Sequence, residues 1–273
     1  MNLEYSNKMF KRILTILSVL GILTPFLAFA VAAELSTTIL FSDANLEAYY
    51  KLEDTADSGS HGYTLTNNGT VGFTAAKFNN GGDLGASNTT KYFNNNTNAG
   101  VDGGACSWSA WINPTTLPGN NTWASIVDVS NSNTKTSNGI ALYNNGGTQE
   151  IRFYRQRVGV NTDSTNYAIT LSTGTLYHLA YTYDGSNVRG YLNGVLVAGP
   201  TALSGNGNYG STIDVLKIGS FAGTAGFSQG FSGIVDDAAF FSRALTASEV
   251  EGLALGFPAT ASTCRIRGQG RCH

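Results

Sequence analysis

Residues 176–197 read LYHLAYTYDGSNVRGYLNGVLV. Tyr177, Leu179, Tyr181 and Tyr183 alternate with His178, Ala180 and Thr182, which puts the two sets on opposite faces of one strand. Tyr183-Asp184-Gly185-Ser186 then marks a turn, and Tyr191 to Val197 sets Asn193-Gly194 between two apolar runs. A two-residue type I′ turn needs positive φ at both central residues, and Asn-Gly supplies it. Consecutive strands joined by tight turns, with no helix between them, predict an antiparallel sheet.

The same texture extends outward in both directions. Leu46–Leu52, Tyr63–Thr66, Cys106–Asn113, Thr122–Val129, Ile140–Tyr143, Glu150–Val158, Tyr167–Leu171, Ile213–Ile218 and Gly230–Ser242 are further strand-like runs. Asn94-Asn95-Asn96 and Asn144-Asn145-Gly146-Gly147 read as loops between them. In Cys106–Asn113, Cys106, Trp108, Ala110 and Ile112 share one face, and Ser107, Ser109, Trp111 and Asn113 the other. One helix outside the N-terminal segment is legible. Thr246-Ala247-Ser248-Glu249 is a capping box, followed by an apolar stripe of Val250, Leu253 and Ala254 and stopped by Gly256 and Pro258.

Composition agrees with this reading. The chain has 273 residues with 33 Gly, 13 Tyr and 14 Phe, and only 12% are charged, about half the usual share. A long helical array needs more Glu, Lys and Arg. A disordered chain lacks so many aromatics, and a nucleic-acid binder carries a basic stripe that is missing here. No strand–helix–strand alternation supports a doubly wound fold. The expected class is all-β, with one short C-terminal helix.

Lys8, Lys11 and Arg12 precede an apolar run from Ile13 to Ala33, interrupted by Gly21 and Pro25. Positive start, apolar middle and small-residue end predict a secretory signal peptide over residues 1–33. Cleavage after Ala30 or after Ala33 fits the small-residue rule; an uncleaved anchor is the rival, since the run reaches the ~20 residues of a membrane span. Loss of Lys8, Lys11, Arg12 and Glu4 moves the net charge from −2 to −4. The expected mature protein is secreted or displayed at the cell surface, with no attraction to nucleic acid or an anionic membrane. Residues 34–256 then form one domain and 257–273 a tail containing Arg265, Arg267 and Arg271. Export permits disulfides, and Cys264–Cys272 is the sequence-local pairing. Cys106, inside a strand, reads as a small buried hydrophobe. Four sequons begin at Asn68, Asn88, Asn95 and Asn120, as an Asn- and Thr-rich chain produces by chance.

Four segments in order carry a family resemblance: LEAYYKLEDTADSGSHGYTLTNNGTV from Leu46, CSWSAWINP from Cys106, LYHLAYTYDGSNVRGYLNGVLV from Leu176, and FSGIVDDAAFFSRALTASEV from Phe231. Together they resemble the laminin-G-like domains of the concanavalin A-like lectin/glucanase superfamily, from about Leu46 to Leu255. Trp111 matches the core-strand tryptophan of that family. Tyr50 stands where Trp is common, and Ala238-Ala239 replace a more usual apolar–basic pair. The resemblance implies a two-sheet antiparallel jelly-roll sandwich. It also implies a noncatalytic module recognising extracellular carbohydrate or a cell-surface protein, as in adhesion, with calcium as a stabilising ion.

Calcium takes about six to eight oxygen ligands. The resemblance points to Asp57 with one of Asp236 and Asp237, which as neighbours in a strand are expected on opposite faces. For sugars, the candidate platform residues are Tyr92, Phe93, Tyr143, Tyr154, Tyr167 and Tyr209, each also readable as a core aromatic. Catalysis finds little support. Paired carboxylates in a Glu-x-Asp-x-x-Glu run and a Gly-x-Ser-x-Gly elbow are both missing, and Glu249 is committed to the helix cap. His178 reads as a strand residue bonded to a neighbour. The alternative on the same sandwich is an atypical polysaccharide-active enzyme, a glycoside hydrolase or lyase.

Overall fold

The computed structural model describes residues 34–88, 90–96, 104–131, 136–155, 163–202, 215–221 and 230–255. The leader at 1–33, the tail at 257–273 with Cys264 and Cys272, and Tyr209 lie outside the described residues. Two antiparallel sheets face each other, as the alternating pattern predicts.

The first sheet runs β13 (Val195–Ala202), β12 (Asn187–Leu192), β11 (Tyr177–Tyr183), β6 (Cys106–Pro114), β15 (Gly233–Phe241), β4 (Asn80–Asp83) and β3 (Gly72–Ala75), with β1 (Leu46–Tyr50) also on β15. The second runs β10 (Asp163–Ala168), β9 (Thr148–Arg155), β8 (Thr136–Asn145), β7 (Trp123–Asn131), β14 (Val215–Ile218), β5 (Tyr92–Asn95) and β2 (Thr66–Asn68). The hairpin of β12 and β13 turns at Asn193 and Gly194, whose φ values of 49° and 83° are those a type I′ turn requires. Gly146 and Gly147, at φ 60° and 103°, make the equivalent turn between β8 and β9, where the sequence suggested only a loop.

Between the sheets lies one apolar core. Trp108 stacks on Tyr181 with centroids 6.2 Å apart and tilts against Phe240 at 5.2 Å. Phe93, Ile126, Ile140, Leu142, Ile151 and Phe153 close it from the second sheet. Cys106 is buried there as a free thiol, and burial pushes it up to about 11.

A second apolar cluster covers the outer face of the first sheet. Tyr49, Ala180, Tyr191, Ala239 and Phe241 supply its floor; Leu35, Leu40, Leu245, Val250 and Leu253 cover them. The covering elements are a strap of two 3-10 turns, Leu35–Thr37 and Ile39–Ser42, and helix α1, Ala247–Leu255. The capping box is formed: Glu249 N–H donates to Thr246 Oγ1 at 3.3 Å and Thr246 N–H donates to Glu249 Oε2 at 2.7 Å. Arg243 clamps strap to helix, its Nε donating to Asp43 at 2.7 Å and its Nη2 to Glu249 at 2.7 Å.

Candidate functional site

The three acids singled out from the sequence do not gather around one ion. Asp57 sits in the loop after β1 and closes it: Oδ1 accepts from Tyr49 N and Gly59 N at 2.9 and 2.8 Å, and Oδ2 from Tyr63 N at 3.0 Å. Asp236 and Asp237 depart from the expected opposite faces. Val235 and Ala238 both point into the core. The register slips between Asp236 and Ala239, and Asp237 takes φ 51°. This bulge inserts one extra residue and turns both carboxylates to the outer side. Asp236 Oδ2 accepts Phe78 N–H at 2.8 Å, while Asp237 accepts Leu35 N–H at 3.1 Å and the Tyr49 hydroxyl. Asp57 therefore meets the backbone of Tyr49 and Asp237 its hydroxyl, at opposite ends of one residue. Both oxygens of Asp57 and of Asp237 are engaged by protein donors, and among the described residues no three His, Cys, Asp or Glu converge on a metal position. The arrangement does not fit a calcium site shared by these acids.

Ser109 and His178 look like a nucleophile and its base, with Oγ and Nε2 2.8 Å apart. Both are buried, and burial pushes His178 down to about 3. Trp111 lies between His178 on β11 and Asp236 on β15, and among the described residues no group bonds His178 Nδ1 to orient the ring. The pair is a cross-strand hydrogen bond, as read for His178 from the sequence.

The outer face of the second sheet has a different character. Trp123, Tyr143, Arg152 and Tyr154 lie side by side across β7, β8 and β9, because Trp123 pairs with Tyr143 and Arg152 with Ala141. The Trp123 and Tyr143 rings are 4.8 Å apart, and Tyr154 meets Trp123 edge-on at 5.9 Å. The Arg152 guanidinium lies 3.8 Å from the Tyr143 ring centre and 4.7 Å from that of Trp123, a stacked cation. Its Nε donates to Glu150 at 2.9 Å, and Asn145 holds the other carboxylate oxygen at 3.0 Å. The Tyr154 hydroxyl donates to buried Asp128. Gly139, opposite Tyr154, makes this possible, since a Cβ there would stand 2.7 Å from the Tyr154 hydroxyl and 2.1 Å from Val127 O. On β14, Lys217 extends the face, its ammonium 4.9 Å from the Tyr92 ring. Burial holds Lys217 below the usual lysine range, against the nearby charge of Asp128.

Of the aromatics proposed as platforms, Tyr92, Tyr143 and Tyr154 thus belong to one outer face. Phe93 is core, and Tyr167 packs against it. Trp123, Asp128, Glu150, Arg152 and Lys217 were not singled out. Placing the β8–β9 turn at Gly146-Gly147 would have set Tyr143 against Glu150 and Ala141 against Arg152. Chemically, the group offers ring faces, a planar cation and fixed carboxylate and amide oxygens, which suit the C–H faces and hydroxyls of a sugar. Among the sequons, Asn88 is buried, its amide donating to Lys91 O and Phe231 O at 2.7 and 3.0 Å.

A model of a laminin-G-type family, described as the concanavalin A-like lectin/glucanases superfamily, matches residues 84–251, more than half of the chain. No curated protein matches. Domain 4 of AbnA, a GH43 extracellular arabinanase from Geobacillus stearothermophilus solved with arabinotriose, superposes with a TM-score of 0.57 at 19% identity, over 77% of this chain and 98% of that one. The binding domain of botulinum neurotoxin DC in complex with SialylT gives a TM-score of 0.60 at 15% identity, over 80% and 52%. The receptor-binding domain of type G gives 0.54 at 16%, over 76% and 50%. The chain spans about half the length of these toxin domains. These likenesses establish a shared fold.

Proposed function

The chain belongs to the concanavalin A-like lectin/glucanases superfamily, and from that membership we propose that it is an exported, noncatalytic module whose second sheet recognises extracellular carbohydrate. The observation that carries this reading is the Trp123–Tyr143–Arg152–Tyr154 group: aromatic and polar side chains held in fixed positions on an outer sheet face, where solvent reaches Trp123, Tyr143 and Arg152. Rings and a stacked guanidinium are ordered before any ligand arrives, so little side-chain entropy is lost on binding. The solved domain with arabinotriose lends the fold a precedent for a sugar ligand.

The noncatalytic part of the reading rests on the closure of the Ser109–His178 pair and on the assignment of Glu150 to Arg152 and Asn145. Export rests on the leader pattern of residues 1–33.

A glycan array and a polysaccharide pull-down on the secreted protein test the proposal. Binding to at least one glycan is expected, and its loss in Trp123→Ala with an unchanged melting curve. New reducing ends during incubation would contradict a noncatalytic role. A blank on both assays would overturn the carbohydrate reading in favour of a protein partner.

A further inference from the structure

The strap over the first sheet begins at an acidic corner. Glu34 lies within electrostatic reach of Asp236 and Asp237, and Lys51, which pairs with Glu34 at 2.9 Å, also feels the charge of Asp237. Leu35 N–H donates to Asp237 at 3.1 Å, and Leu35 itself is buried in the outer cluster. Among the described residues, Asp236 Oδ1 is buried with no hydrogen-bond partner. Burial raises both aspartates, to about 7 and about 8, and the charge of Glu34 adds to the effect. A buried carboxylate pair is costly unless a cation balances it. The backbone nitrogen of Glu34 is three covalent bonds from that of Leu35, hence within about 4 Å of it and at most about 7 Å from the Asp237 oxygen that accepts from Leu35.

We propose that the secretory leader is cleaved between Ala33 and Glu34, and that the α-ammonium released on Glu34 is the counter-charge of the Asp236–Asp237 corner, locking the strap onto the first sheet. Water adds across the Ala33–Glu34 amide under a leader endopeptidase of the export route. Ala33 departs with the leader as a carboxylate, and the nitrogen of Glu34 takes up protons to become the ammonium. The sequence alone permits cleavage after Ala30 or Ala33. Only the second puts a positive charge at this corner; the first leaves Val31, Ala32 and Ala33 ahead of Glu34 and carries the ammonium up to about 10 Å along the chain. The proposal rests on the export reading but is independent of any ligand.

The test is to express the full chain in a secreting host and determine the N-terminus of the product by mass spectrometry. Glu34 is expected. Val31 would overturn the proposal and leave export intact; a retained leader would overturn both. In a second arm, Glu-Ser inserted after Ala33 keeps the Ala–Glu junction and displaces the charge by two residues. The melting temperature should fall by about 2–4 °C, and the fall should vanish in an Asp237→Asn background. An equal fall in both backgrounds would mean that the ammonium does not act through Asp237.

Discussion

The two sheets share one core, but their outer faces are finished in opposite ways. The first sheet presents Tyr49, Ala180, Tyr191, Ala239 and Phe241, and the chain itself covers them with the strap and α1. The second presents Trp123, Tyr143, Arg152 and Glu150 in mutual contact, with solvent reaching the Trp123 and Tyr143 rings. Lys217 is set over Tyr92 farther along the face. An apolar outer face must be covered to be stable in water. A face of aromatic rings, stacked cations and anchored acids needs no cover and stays available to a ligand. On the proposed reading, the difference separates the structural side of the molecule from the side that would recognise a ligand.

The largest effect expected from breaking this contrast lies on the closed side. Leu253→Ala removes a buried side chain of α1 and should cost about 2–5 kcal/mol in chemical denaturation while leaving glycan affinity unchanged. On the other side, Gly139→Ala drives a Cβ against Val127 O and the Tyr154 hydroxyl. A loss of about 1–3 kcal/mol is expected, here together with weaker binding, because Tyr154 is displaced.

A pH titration sharpens the contrast further. His178 is buried neutral, held down to about 3 by burial, against about 6.5 when unfolded. The unfolded chain therefore binds the extra proton first, and stability is lost as pH falls from about 6.5 towards 3. About 1 kcal/mol should be gone by pH 5.5, and the acid slope should be smaller in His178→Gln. The smallest stability effect belongs to Arg152→Gln, under about 1 kcal/mol for a partly exposed ion pair. The same change should weaken glycan binding tenfold or more by isothermal titration calorimetry.

Much of the architecture was legible because it follows from local pattern. The alternation in Leu176–Tyr183, the Asn193-Gly194 turn and the Thr246–Glu249 cap all appear where the residues place them. Strands β4 and β5 were missed because Gly81-Gly82 and Asn94-Asn95 are turn residues, not alternating apolar ones. The Asp237 bulge is set by pairing with β6, a long-range constraint that adjacent residues do not reveal. The strap was missed for a related reason: Leu35 and Leu40 show neither period and are ordered only by the face they cover. In the candidate site, single aromatics were visible but their grouping was not, since it depends on the register of β7, β8 and β9.

The three tryptophans give the most direct measurement of the central claim. Trp108 lies in the core, Trp111 on the outer side of the first sheet under Lys77, and Trp123 on the second sheet. Their indole N–H signals can be followed by NMR during titration with a soluble oligosaccharide that the glycan array identifies. Movement of the Trp123 signal, with Trp108 and Trp111 unmoved, is the predicted result. Movement of Trp111 in place of Trp123 would contradict the assignment of the two faces.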